Sequence, residues 1–163
     1  MCGICGIVTN DPGVTINQKL IEDMTETLRH RGPDDVGTYN IDGCALGMRR
    51  LSIIDLNTGA QPITNEDGKI VVVCNGEIYN YKQLREDLEK LGHRFDTNSD
   101  VEVLVHLYEE KGPQLCKELD GMFAFALWDS RETVSYTHLR AHETLRYLVC
   151  SLLLDKKKGG GGG

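Results

Sequence analysis

The sequence of 163 residues has no apolar run near membrane-spanning length: the longest toward the C-terminus, Tyr147 to Leu154, falls far short of the roughly 20 residues a spanning helix needs. A basic stripe is missing too. With 18 Lys and Arg against 25 Asp and Glu the formal charge is −7, and because phosphate binding calls for clustered cations, nucleic acid is excluded as the main partner. Nothing at the start pairs a charged segment with an apolar one, so no secretory signal is expected and a cytoplasmic, reducing setting follows. There the six cysteines read as buried, catalytic or metal-binding rather than disulfide-bonded. Internal repeats and linkers are absent, and so is a Gly-rich phosphate loop upstream of residue 133. What remains is about one domain's worth of chain.

The end of the sequence is of another kind. Lys156 to Lys158 and Gly159 to Gly163 form a homopolymer finish that no folded element explains. Upstream, Val134 to Thr144 resembles the translation of a transposase-type sequencing adapter, and Leu148 to Leu154 its flow-cell end, with Ser151 and Asp155 departing from that reading. Residues 134–163 are therefore expected to be a non-biological tail and are set aside from fold reasoning, leaving residues 1–133 as a partial domain that ends at Glu132 or Thr133. This removes a false lead: His138 and His142, followed by Glu143, would share a helical face like a metal pair. No metal ligands are expected. Without the tail, which holds five basic and two acidic side chains, 13 basic and 23 acidic ones remain, a net of −10.

Along residues 1–133, Cys2 to Thr9 is a short apolar segment closed by Asn10-Asp11-Pro12-Gly13, which predicts a buried strand at the extreme N-terminus. Ile16, Leu20, Ile21, Met24 and Leu28 recur at helical spacing up to His30-Arg31-Gly32-Pro33. Strands are predicted at Val36 to Tyr39 and Ala45 to Arg50 around an Asp42-Gly43 turn, and at Ile70 to Cys74, ending abruptly in a tight turn at Asn75-Gly76. A helix runs through Tyr81, Leu84, Leu88 and Leu91, with Asn80 as cap and Gly92 past its end. Ser99 and Glu102 fit a capping box for the next helix, which Gly112-Pro113 stops. Met122 to Trp128 is apolar throughout, as in a strand buried on both faces. The fold class is α+β, with helices layered on sheets.

Among residues with chemistry, Cys2 comes first: once Met1 is removed, its thiol sits beside its own α-amine, a base of pKa roughly 7.7 to 8.0. Cys2-Gly3-Ile4-Cys5 also spells a C-x-x-C, but no strand precedes it and no second cysteine pair completes a zinc site. Cys44, Cys74 and Cys116 read as small hydrophobes in apolar segments. Asn75-Gly76-Glu77 offers a side-chain amide and an approachable backbone N–H, the parts of an oxyanion hole or simply of a turn. Arg49 and Arg50 are cations suited to a carboxylate, and Asp100 stands at a helix start.

Together these residues resemble the N-terminal-nucleophile glutamine amidotransferase domain, and within it the glutaminase domains of asparagine synthases. The resemblance rests on Met1-Cys2-Gly3-Ile4 with Gly6, Arg29-His30-Arg31-Gly32-Pro33-Asp34, Arg50-Leu51-Ser52-Ile53-Ile54-Asp55, Gly59-Ala60-Gln61-Pro62, Asn75-Gly76-Glu77-Ile78-Tyr79-Asn80-Tyr81, Ser99-Asp100 and Gly121 to Ala126. It implies an αββα sandwich, incomplete at the C-terminus, so that an unpaired sheet edge is expected there. It also implies that Cys2 attacks the side-chain amide of glutamine, that Asn75 and Gly76 hold the oxyanion, and that Arg50 clamps the α-carboxylate. In the same reading Leu51, Ser52, Ile53 and Ile54 line the pocket, while Glu77 and Asp100 receive the α-ammonium. The implied partners are L-glutamine, a synthetase domain in cis and a second copy of the chain in a homodimer, with no nucleic acid and no membrane. No cofactor is implied for these residues; Mg-ATP is a substrate of the synthetase domain, and the isolated glutaminase part is expected to be weakly active or inactive. Two alternatives stand beside this: the glutaminase domain of a sugar-phosphate or purine-pathway amidotransferase, and a small Cys-x-x-Cys thiol or zinc module.

Overall fold

A computed structural model describes residues 2–9, 14–51 and 59–131, and the backbone of 134–140 and 152–153. Period-two burial builds two antiparallel sheets from its strands. In the first, β1 (Gly3–Val8), β2 (Asp35–Ile41) and β3 (Cys44–Arg50) lie in the order β1-β3-β2, and the central β3 is buried throughout. In the second, β4 (Ile63–Thr64), β5 (Ile70–Ile78), β6 (Gly121–Asp129), β7 (Val134–Arg140) and β8 (Leu152–Leu153) lie in sequence order. Helix α1 (Gln18–Thr27) covers the outer face of the first sheet; α2 (Tyr81–Leu91) and α3 (Val103–Lys111) cover that of the second.

Alternation decides which layer each side chain joins. Cys44, Leu46 and Met48 of β3 meet Val71 and Val73 of β5 and Trp128 of β6 between the sheets. The intervening Ile70, Val72 and Cys74, with Phe123, Phe125 and Leu127, turn the other way onto Leu88, Leu104 and Leu107. Ala45 faces Ile16 and Ile21 on the α1 side. Each such large side chain contributes about 1.5–3 kcal/mol on burial, so these three layers of contact carry the αββα order that the sequence resemblance implies.

Local expectations are met unevenly. Gly92 ends α2 in the left-handed conformation, at φ 105°, where a residue without Cβ is favoured. Asn80 does not cap that helix: its side chain instead donates to Glu118 O and accepts from Asp120 N, tying α2 to the start of β6. Ser99 caps a 3-10 turn, Asp100–Glu102, that precedes α3, by accepting from Val101 N. Glu102 does not close a capping box; it takes the backbone N–H groups of Asp96 and Thr97 and the Thr97 hydroxyl. Nor is β6 buried on both faces along its length, since Met122 is 45% exposed and the strand is covered on both sides only from Leu127 onward.

At the far side of β6, β7 pairs in register from Phe123↔Arg140 to Asp129↔Val134. The free edge expected after residue 133 is thus occupied. Backbone pairing requires N–H and C=O groups rather than particular side chains, and Val134, Tyr136 and Thr137 are residue types that strands accommodate. His138 lies in this strand, so the helical spacing with His142 does not arise; His142 itself is outside the described residues.

Candidate active site

Cys2 precedes β1, whose first pair is Gly3↔Arg49, so the cysteine is level with Arg50 at the end of the central strand. There the Leu51 N–H donates to Cys2 Sγ at 3.4 Å, and the Leu51 carbonyl accepts from it at 3.8 Å. The Arg31 guanidinium donates to the Cys2 carbonyl at 3.0 Å. The residue just before the strand is therefore held from both sides, which a fraying chain segment would not be. Its side chain packs with Val71, Val73 and Trp128 between the sheets.

Positions 2 and 5 differ by an odd number, so a strand sends them to opposite faces. Cys5 accordingly packs on the α1 side and meets Thr25 Oγ1 at 3.5 Å, while Cys2 faces the second sheet. Both are free thiols. The two cysteines do not face one common centre, which removes the geometric basis of the thiol or zinc module.

Across the sandwich, Asn75-Gly76-Glu77 is not a tight turn. β5 continues through it to Ile78, paired with Gly121 to Ala124 of β6. Gly76, at φ 144°, permits this: a Cβ there would lie 2.1 Å from Met122 O and 2.5 Å from Phe123 Cα. The segment stays in the sheet yet opens to solvent, with Asn75 half-buried and Gly76 and Glu77 exposed. Asn75 and Glu77 share the parity of Val71 and Val73, hence the face turned toward the sheet that carries Cys2.

Just before Asn75, the Gln61 amide bonds Cys74 both ways, accepting from its N–H at 2.6 Å and donating to its carbonyl at 3.1 Å. Gln61 thus acts as one more rung of the sheet. Asp100 Oδ2 accepts from Ile78 N at 2.8 Å, bringing the 3-10 turn against the end of β5. Burial holds the Asp100 carboxyl above its ordinary value, and nearby Glu77 adds to this against the backbone N–H groups that lower it. Cys74 is raised by burial first, then by the charges of Asp100 and Cys2. Arg49 is tied to Glu26 of α1, and both Arg49 and Arg50 are buried.

Of the sequence-derived site residues, the structure gathers Cys2, Arg50 and Leu51 at one sheet end and Asn75, Gly76, Glu77 and Asp100 at the other; Ser52, Ile53 and Ile54 lie outside the described residues. Arg31 and Gln61 entered the resemblance only as motif members. Their hydrogen bonds to residues 2 and 74 appear only once strands distant in sequence are paired.

A two-sheet sandwich between helical layers, with a cysteine held at the start of a central-sheet strand, defines an N-terminal-nucleophile hydrolase fold. The chain belongs to the glutamine amidotransferase domain family, which it matches over residues 1–141. It is 46% identical over 132 residues to asparagine synthetase [glutamine-hydrolyzing] 3 of Arabidopsis thaliana, covering 81% of this chain and 22% of that one. To asparagine synthetase B [glutamine-hydrolyzing] of Escherichia coli (strain K12) it is 44% identical over 133 residues, covering 81% and 24%. The chain thus spans between about a fifth and a quarter of the length of these curated relatives. The structure of the allosteric regulatory enzyme of purine biosynthesis superposes with TM-score 0.53 at 22% identity, covering 83% of this chain and 31% of that chain, a likeness of fold. Among the described residues no helix is long and apolar enough to cross a membrane.

Proposed function

We propose that residues 1–133 are the glutaminase half of a glutamine-dependent asparagine synthase acting in the cytoplasm. The observation that carries this is Cys2 fixed by Leu51 and Arg31 at the seam of the sandwich, opposite a strand end that bears an amide, an approachable backbone and two carboxylates. With Met1 removed, the α-amine of Cys2 takes the thiol proton as Sγ attacks Cδ of glutamine. Asn75 and the Gly76 N–H stabilise the oxyanion, by roughly 3 to 4 kcal/mol per donor. The protonated amine then gives its proton to the departing nitrogen, ammonia leaves, and water hydrolyses the thioester to glutamate.

Selectivity follows from charge placement. Arg50 takes the α-carboxylate, the chain from Leu51 through Ser52, Ile53 and Ile54 lines the pocket, and Glu77 with Asp100 takes the α-ammonium. Ammonia passes to a synthetase domain that joins it to ATP-activated aspartate, giving asparagine, AMP and pyrophosphate; the assembly is a homodimer. The identity of the curated relatives supports this reading over a sugar-phosphate or purine-pathway role.

A diazo ketone analogue of glutamine tests it. One equivalent adds to Cys2 in protein whose intact mass shows Met1 removed, and Cys2→Ala abolishes the adduct while Cys5→Ala keeps it. Labelling at Cys5 in place of Cys2 overturns the mechanism.

A further inference from the structure

A second polar cluster lies at the other end of β5. Glu66 stands in the β4–β5 turn, His93 follows α2, and His106 and Glu109 sit one turn apart on α3. Each offers one donor atom, and the four atoms lie within 4.8 Å of one another. His106 Nδ1 is 3.3 Å from Glu66 Oε2 and 3.7 Å from Glu109 Oε2, which is itself 3.7 Å from His93 Nδ1. A tetrahedral ion with arms of about 2.0–2.2 Å sets its donors about 3.3–3.6 Å apart. Those three separations are already near that spacing.

The surroundings aim these atoms at a common centre. Arg94 N donates to Glu66 Oε1 at 3.0 Å and Asn65 Nδ2 donates to Glu109 Oε1 at 2.9 Å, so one oxygen of each carboxylate is fixed while Oε2 of each faces His106; Glu66 Oε1 also lies 3.6 Å from His93 Nδ1. Each imidazole turns Nδ1 inward and Nε2 toward a further carboxylate: Glu110 at 3.1 Å for His93, Glu102 at 3.8 Å for His106. For His93 the contact is a hydrogen bond, the way metal-bound histidines are oriented and made more basic. His106 is 1% exposed, and neither of its nitrogens, nor Glu109 Oε2, makes a hydrogen bond. Buried polar atoms are seldom left so. Arg131 Nη1 lies 3.8 Å from Glu109 Oε1, the oxygen that Asn65 holds.

We propose that Glu66, His93, His106 and Glu109 bind one zinc ion. Two imidazoles and two carboxylates form a mixed nitrogen and oxygen set suited to tetrahedral zinc, and four protein ligands leave no position for substrate. The ion is structural: it ties the β4–β5 turn, the segment after α2, and α3 together. Access is from the Glu66 side, whose side chain is 28% exposed.

The full chain, stripped with a chelator and titrated with zinc alone, is expected to bind one equivalent and to melt at higher temperature when loaded. His93→Ala and Glu109→Gln, both on partly exposed side chains, are expected to weaken binding by roughly 10-fold or more and to lose the thermal shift. His106→Gln risks misfolding, so these two carry the test. Cobalt in place of zinc is expected to give a tetrahedral visible spectrum without thiolate charge transfer. Failure to bind zinc, binding unchanged in both variants, or a thiolate-dominated cobalt spectrum overturns the proposal, the last by assigning the ion to cysteine.

Discussion

Alanine at position 76 meets two obstacles. At φ 144° a side chain is disfavoured by about 1–3 kcal/mol. Its Cβ would also press on Met122 O at 2.1 Å and Phe123 Cα at 2.5 Å, backbone atoms that retreat only by parting β5 from β6. Overpacking of this kind costs about 1–3 kcal/mol, for a sum of about 2–6 kcal/mol against a domain stability of about 5–15 kcal/mol. Gly68 supplies the control: φ is 71° and nothing lies within 4 Å of its would-be Cβ, leaving only a conformational penalty of about 1–2 kcal/mol. With a urea slope near 2 kcal/mol/M, Gly76→Ala is expected to lower the unfolding midpoint by about 1–3 M and Gly68→Ala by about 0.5–1 M. The fluorescence of Trp128, the sole tryptophan and a buried one, reports the transition. Equal midpoints for the two variants would refute the close strand approach, and with it the account of why glycine stands beside Asn75.

Three further outcomes follow from the same geometry. Burial pushes the Cys44 thiol up to about 12 and raises Cys74 as well, so mass-resolved alkylation at pH 8 is expected to mark Cys2 long before either; early modification of Cys44 would contradict its burial. Asp100, raised by burial above its ordinary 3.8, binds its proton more tightly folded than unfolded, so its destabilising effect is absent below that value and complete once pH passes its folded value. Asp100→Asn, which keeps an oxygen for Ile78 N, is therefore expected to gain stability at pH 7 relative to pH 3 while losing glutamine affinity; an equal change at both pH values would remove the burial argument. Arg31→Met is expected to slow labelling of Cys2 by roughly 10-fold to 100-fold through a misplaced nucleophile, with its urea midpoint little changed; an unaltered rate shows that the Arg31 bond to the Cys2 carbonyl positions nothing.

The parts legible in the sequence were those fixed by neighbours in sequence. Gly92 and the Asp42-Gly43 turn were readable because left-handed or tight backbone is a local demand, and α1 because Ile21, Met24 and Leu28 recur at helical spacing, with Ile21 in the core. The errors share a different origin. Asn80 and Glu102 are good capping residues by type, but each found partners that a single helix does not contain: Glu118 and Asp120 for one, Asp96 and Thr97 for the other. Asn75-Gly76 read as a hairpin because the pairing of Gly76 with Phe123 spans 47 positions. The cluster at His106 shows the same limit: His106 and Glu109 are a local pair on one helix, whereas Glu66 and His93 join them only when the turn and the connector fold over α3.

The 3-10 turn Asp100–Glu102 lies between the two polar clusters and keeps them apart. At three residues per turn, positions 100 and 102 point about 120° apart. Asp100 therefore reaches Ile78 at the open end of β5, while Glu102 turns inward beneath His106. Glu102 is held by three donors from Asp96 and Thr97, so the turn has little freedom to pivot. In the proposed function Asp100 meets the substrate ammonium, and a carboxylate with that task is placed best on such a turn, because a mobile one would surrender much of its interaction to ordering. The buried Glu102 thus fixes the turn that carries Asp100, and the helix that follows begins where a rigid turn, rather than a flexible loop, delivers it.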